Sequence, residues 1–169
     1  SKENFLAGFF AALDDKALAS VDSASMYVNT KAEEIRTKAI EAQYADYKKE
    51  NEAFLAENKS KEGVKTTASG LQYKVITEGK GEVPTAESRV KVNYKGTLID
   101  GTEFDAREGM TFSAGHVIKG WTEALTMMPV GSKWELYVPQ ELAYGSSATG
   151  KIKPFSTLIF EIELLEIEK

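Results

Sequence analysis

The sequence predicts an α+β fold: a helical N-terminal region ending in one long connecting helix, then an antiparallel sheet that closes as a half-barrel around a single short helix. Three observations predict it. The apolar residues recur with a period near 3.6 up to Gly63, and with a period of 2 beyond it. Turn chemistry separates the alternating segments at Gly79-Lys80-Gly81, Asp100-Gly101 and Val130-Gly131. The second half carries one short helical pattern only. A chain of 169 residues is long enough to bury a core in such a domain. The change of period divides it into residues 1–63 and 64–169.

In chain order, Leu6, Phe9, Phe10, Leu13 and Ala17 share one helical face that is too apolar to stand in water, which predicts self-association. The second helical run, from about Ser23 to Glu62, places Val28, Ala32, Ile35, Ala39 and Ala42 on one seam and Ile40, Tyr44, Tyr47 and Phe54 on its neighbour. Glu34–Lys38 and Glu57–Lys61 have the spacing of favourable pairs. Thr30-Lys31-Ala32-Glu33 reads as a capping box, with Asp22, Ser23 or Ser25 as caps for an earlier start, and Gly63 as the stop. The remaining charge on this helix reads as a solvated face. Past Gly63, strands are predicted over Leu71–Thr77, Val90–Lys95, Lys133–Pro139 and Thr157–Ile167. The short helix is predicted over Gly120–Met128, ended by Pro129. Alternation puts Val90, Val92 and Tyr94 on one face, and likewise Trp134, Leu136 and Val138, and Leu158, Phe160, Ile162 and Leu164.

Composition removes several classes of function. A net charge of −5 without a basic stripe argues against nucleic acid or an anionic membrane surface as partner. No run approaches the roughly 20 apolar residues of a membrane span. With Cys 0, thiol catalysis, disulfides and cysteine metal sites are excluded. His116 is the single histidine and has no ligand partners nearby in sequence, so no metal is expected, and it reads as a loop residue near the cleft. Ser146 and Ser147 lack the glycine-flanked elbow that activates a serine, and the carboxylates show no acid/base spacing. No cofactor motif is present.

What remains is a set of aromatic and apolar groups on separate elements: Tyr94, Phe104 with Asp105, Val117 and Ile118 with Trp121, Tyr144, and Phe160. Each aromatic alone could be core. Together they suggest a cleft, since Trp121 follows a glycine at a helix start and Tyr144 lies beside Gly145 in a loop. Asp105 alone would be a solvated loop or capping carboxylate; beside aromatics it becomes the polar handle of an apolar pocket. Such a site works by shape and desolvation.

These motifs, in the order V-K-V-N-Y-K-G, D-G-T-E-F-D, H-V-I-K-G-W, L-A-Y-G and T-L-I-F-E-I-E-L, resemble the FKBP-type peptidyl-prolyl cis/trans isomerases. The resemblance covers residues 64–169 and is most specific from Gly120 to Gly145. The segment ending A-F-L-A-E-N-K-S-K-E-G is similar to the connecting helix of the Mip-like bacterial members, which implies a homodimer held by the N-terminal helices. It further implies that Tyr94, Phe104, Trp121, Tyr144 and Phe160 line a proline pocket floored by the tryptophan. Val117 and Ile118 would supply its wall and a backbone donor, Asp105 its carboxylate, and Phe112 and Ile152 further substrate contacts. The departures lie in segments read as short loops, A-R-E-G-M-T after Asp105, the Gly115-His116 turn and S-S-A-T-G-K, with Met110 where some members carry an aromatic. They bear on Arg107, on residue preference before proline and on macrolide inhibitors.

The implied activity is rotation of Xaa-Pro bonds in unfolded or partly folded polypeptides, without cofactor, together with chaperone activity. The alternative is a client-binding chaperone that uses the pocket mainly for docking, and a scaffold role for the long helix is a third reading. Ser1 runs almost directly into an amphipathic segment, as if a preceding stretch had been removed. Any signal peptide would then be invisible in this sequence; the expected compartment is the periplasm or cell envelope, with the cytoplasm as alternative.

Overall fold

The computed structural model describes residues 21–168, and side-chain surroundings from residue 24. The apolar face of Leu6, Phe9, Phe10, Leu13 and Ala17 lies outside the described residues. The chain divides into two compact units, Ser1–Ala39 and Ile40–Lys169.

Helix α1 spans Val21–Gln43. The capping box at Thr30 does not start it: Thr30 lies inside the helix, and its hydroxyl donates back to the Met26 carbonyl at 2.8 Å. Glu34 pairs at 2.8 Å with Lys31, one turn before it, and not with the expected Lys38 one turn after. The long run is interrupted at Tyr44, whose dihedrals (φ −110, ψ 16) leave the helical region before α2, Ala45–Asn58. The backbone ladder nevertheless continues, from Tyr44 N–H to Ile40 O at 3.0 Å and from Lys48 N–H to Tyr44 O at 2.8 Å. Helix α2 ends earlier than Gly63. Lys59, Ser60 and Lys61 continue in hydrogen-bonded turns, and Gly63 at φ +81 redirects the chain into the first strand.

Six strands follow: β1 Val64–Thr66, β2 Gln72–Thr77, β3 Arg89–Thr97, β4 Glu103–Ser113, β5 Lys133–Val138 and β6 Leu158–Glu168. They form one antiparallel sheet in the order β1-β2-β5-β6-β3-β4. Two strands were not foreseen. β1 is too short to show a period. β4 occupies the A-R-E-G-M-T segment read as a loop, which instead pairs along β3 from Thr97↔Glu103 to Arg89↔Ser113. Residues 106–110 are exposed on both faces, so nothing in their hydropathy alternates. The β3–β4 hairpin turns where expected: Gly101 adopts φ +87, and the Asp100 carboxylate accepts from Thr102 N–H at 2.9 Å.

Helix α3, Lys119–Leu125, buries Gly120, Trp121, Ala124 and Leu125. Trp121, Ala124 and Leu125 join Val90, Val92, Leu136, Val138, Leu158, Phe160, Ile162 and Leu164 in one core. The predicted last turn of this helix, to Met128, is a non-helical turn in which Met127 and Met128 both donate to Ala124 O. A Cβ on Gly120 would lie 2.5 Å from Val138 Cγ1, so glycine here lets α3 approach β5 and seats the adjacent Trp121 in the core.

Candidate active site

On β3, alternation sends Val90 and Val92 inward and brings Tyr94 and Gly96 to the same face, where the core opens. Register shifts near Val92 and Tyr94 twist the strand there. Gly96 has its own role. A Cβ at this position would meet Phe104 Cζ at 2.5 Å and Phe160 Cε1 at 2.8 Å, so the strand makes room for two rings that stand edge to face at 5.5 Å. Sequence reading passed over Gly96 because a glycine inside a strand signals close approach without naming the partner.

The rings converge on Trp121. Tyr94 lies 5.0 Å from it, Phe112 5.5 Å and Phe160 5.1 Å between centroids, all at steep interplanar angles. Edge-to-face contact suits the quadrupoles and holds each ring in one orientation. Trp121 is 4% exposed and Phe160 4%, whereas Tyr144 is 39% exposed. The pocket thus has a fixed aromatic floor and a solvent-facing rim. Its volume is about 690 Å³, and its walls include all of Tyr94, Phe104, Asp105, Phe112, Val117, Ile118, Trp121, Tyr144, Ile152 and Phe160. His116, Ala143, Thr149, Gly150 and Lys151 complete it. Of these, His116 was expected near the cleft; the others adjoin predicted residues in segments whose composition marks only loops.

Two polar features stand out in this apolar wall. The Tyr94 hydroxyl donates to Asp105 Oδ2 at 2.5 Å, and Arg107 Nε lies 3.5 Å from the other carboxylate oxygen. Burial, then the bond to Asp105, push the Tyr94 phenol up to about 12, so it stays protonated and occupied as a donor at neutral pH. The second feature is the entry to α3. The Ile118 carbonyl accepts from Trp121 N–H at 3.0 Å and Thr122 N–H at 3.1 Å. Among the described residues no acceptor meets the Ile118 N–H or the buried Trp121 Nε1.

A second groove of about 600 Å³ runs past Asn93, Lys95, Arg107, Lys133, Glu161 and Glu163. It is lined largely by charged side chains, several of them paired, as in the 2.7 Å Lys133–Glu161 pair. Among the described residues no cluster of histidine and carboxylate could hold a metal ion.

Known proteins resemble this chain in sequence and in fold. Residues 80–165 match the model of the FKBP-type peptidyl-prolyl cis-trans isomerase family, and residues 1–75 match that of the domain amino-terminal to it. The chain is 48% identical, over 174 aligned positions, to the FKBP-type 22 kDa peptidyl-prolyl cis-trans isomerase of Escherichia coli, covering 98% of this chain and 82% of that protein. It is 51% identical over 127 positions to the outer membrane protein MIP of Legionella longbeachae, covering 72% of this chain and only 54% of that protein. The crystal structure of FkpA from Escherichia coli superposes with a TM-score of 0.74 at 36% identity, over 99% of this chain and 82% of that one.

Proposed function

Since the chain belongs to the FKBP-type peptidyl-prolyl cis-trans isomerase family and is an enzyme of that class, we propose that the pocket around Trp121 is where the Xaa-Pro bond turns. The observation that carries this reading is the rigid aromatic floor, in which Trp121 meets Tyr94, Phe112 and Phe160 edge to face beneath an exposed Tyr144.

Rotation about Xaa-Pro must cross a barrier of about 18–20 kcal/mol, because twisting breaks amide resonance. The twisted amide is less dipolar than the planar one, so water favours the ground state and an apolar wall favours the transition state. The proline ring rests on Trp121 between Phe104, Phe112 and Phe160. The preceding carbonyl is held by the Ile118 N–H or the Tyr144 hydroxyl, while Val117 and Ile152 confine the flanking residues. Asp105 is fixed by Tyr94 and Arg107 as a carboxylate at the pocket edge, where it orients the peptide and abstracts no proton. Shortening tens of seconds to milliseconds requires a gain of roughly 10⁴-fold, or about 5.5 kcal/mol, within reach of desolvation and orientation.

Residues 64–169 carry the pocket in this reading, and residues 1–63 carry homodimerisation, which the match to the amino-terminal domain model supports. The substrates are proline-containing segments of unfolded proteins. Exposed Met26 and Ile35 on α1, 69% and 56% accessible, offer apolar surface for a chaperone contribution. Macrolides that mimic a bound proline segment are the inhibitor class the pocket fits. Placement in the periplasm or cell envelope follows the relative named an outer membrane protein; the cytoplasm is the alternative. Among the described residues no helix is long and apolar enough to cross a membrane.

The test is exchange spectroscopy on short Xaa-Pro peptides with several residues before proline, with and without chelator. Acceleration that chelator leaves unchanged and Trp121→Ala abolishes is expected. An unaffected Trp121→Ala variant that remains folded would remove the pocket from the mechanism.

A further inference from the structure

Helix α2 does more than connect. Asn51, one of its polar residues, is 1% exposed. Its amide donates to the Tyr47 carbonyl at 2.7 Å, and its carbonyl accepts the buried Thr157 N–H at 2.8 Å. One turn earlier, the Tyr47 hydroxyl meets Ser156 Oγ at 3.0 Å. Ser156 gives its own proton to Lys153 O at 2.7 Å, so Tyr47 is the donor. Two cations close the clasp, Lys48 at 5.2 Å from the Phe155 ring and Lys153 at 5.2 Å from the Tyr47 ring.

The clasped segment is short and mechanically placed. Ile152 before it lines the pocket wall, and Leu158 and Phe160 after it begin β6 and the pocket floor. Within it, Phe155 holds φ +62, a conformation that a bulky side chain keeps only when its surroundings fix it. What fixes it is the clasp on one side and a 2.7 Å bond from Phe155 N–H to Gly145 O on the other. Gly145 adjoins Tyr144, so the bond ties the clasped segment to the loop that forms the pocket rim.

We propose that Asn51 and Tyr47 are positioning residues for the isomerase reaction: by holding Phe155–Thr157 in its strained form they set the rim loop from Tyr144 to Ile152 against the aromatic floor. The inference rests on the pocket assignment above. Neither residue reaches the pocket; each acts through the backbone it holds. Without the clasp, Phe155 relaxes toward negative φ, its N–H leaves Gly145, and the wall no longer confines the peptide near the transition state.

The experiment uses the full chain as Tyr47→Phe, Asn51→Ala and Asn51→Asp. Each is assayed for kcat and KM on an Xaa-Pro peptide at a temperature where circular dichroism shows the native state. Tyr47→Phe and Asn51→Ala should lower kcat/KM by roughly 5- to 10-fold, mainly through kcat, as expected when an orienting hydrogen bond is lost. Asn51→Asp keeps the acceptor for Thr157 N–H but loses the donor to Tyr47 O unless its carboxyl is protonated, so it should recover part of the Asn51→Ala loss, and more of it as pH falls. Folded variants that melt earlier but retain wild-type kcat/KM would overturn the proposal and leave the clasp a purely structural joint. If Asn51→Ala does not fold, Tyr47→Phe, which deletes one hydroxyl, decides alone. An inactive wild-type chain would count against the pocket assignment, which keeps the two failures distinct.

Discussion

Phe160 and Tyr144 show how unequally the pocket residues are loaded. Phe160 is 4% exposed, packs at 5.1 Å on Trp121 and at 5.5 Å on Phe104, and so serves core and cleft together. Phe160→Ala should cost about 3–5 kcal/mol, read as a lower denaturant midpoint, along with most of the activity. Tyr144→Phe removes one hydroxyl at the exposed rim and should lower kcat/KM only slightly, with no change in melting. The Tyr94–Asp105 pair yields a pH prediction. The phenol is pushed up to about 12 in the folded chain, against an ordinary value near 10. The native state therefore holds the proton more tightly than the unfolded one. The corresponding stability is fully present below about pH 10 and is lost as pH rises toward 12. Ring-labelled tyrosine NMR should find Tyr94 titrating well above pH 10, and Asp105→Asn should bring it down. The residues lining the pocket could be gathered from the sequence because aromatics in five separate motifs, two of them, Trp121 and Tyr144, beside glycines, have few joint explanations. Asn51 was not, because a buried and an exposed asparagine look alike in a polar helix.

At the level of elements, the sheet was readable wherever one face was buried. Val90 and Val92 on β3, Trp134 and Leu136 on β5, and Leu158 through Leu164 on β6 alternate because one side of each strand meets the core. Strand β4 failed that test. Its middle, Ala106 to Met110, faces solvent throughout, and its pairing to β3 is set by the Asp100-Gly101 turn and by register shifts that hydropathy does not encode. The approach of β3 to the two rings makes a sharp test of this packing. Gly96→Ala places a methyl at 2.5 Å from Phe104 Cζ, closer than real contacts allow, so Phe104 and Phe160 must move. A loss of about 1–3 kcal/mol is expected on chemical denaturation, with a fall in isomerase activity larger than that of any exposed-face substitution on β4. Unchanged activity with the loss of stability alone would place the Phe104 wall outside the working part of the pocket.

For the molecule as a whole, the question is what the residues before the isomerase unit add. The compact unit begins at Ile40, and α2 supplies buried partners to it. Asn58 Nδ2 bonds Gln72 Oε1 at 2.9 Å, Gln72 donates to Leu55 O at 2.8 Å, and Phe54 packs 6.2 Å from Tyr137. A fragment starting at Val64 would lose these bonds together with the one from Thr157 N–H to Asn51, and would uncover the apolar surface of Tyr137 that Phe54 covers. The fragment that isolates the chemistry is therefore residues 40–169. It should isomerise a tetrapeptide nearly as well as the full chain, because such a substrate fills one pocket and touches nothing else. It should lag in a proline-limited refolding reaction. An unfolded protein spans more than one pocket, and in a dimer the second contact forms at a raised effective concentration, so weak contacts multiply. Light scattering should find the full chain dimeric and the fragment monomeric. Both rates are then compared per active site on the same refolding substrate. Equal refolding rates would deny residues 1–39 any part in client capture. A monomeric full chain with the same advantage would move that advantage from avidity to apolar surface such as Met26 and Ile35 on α1.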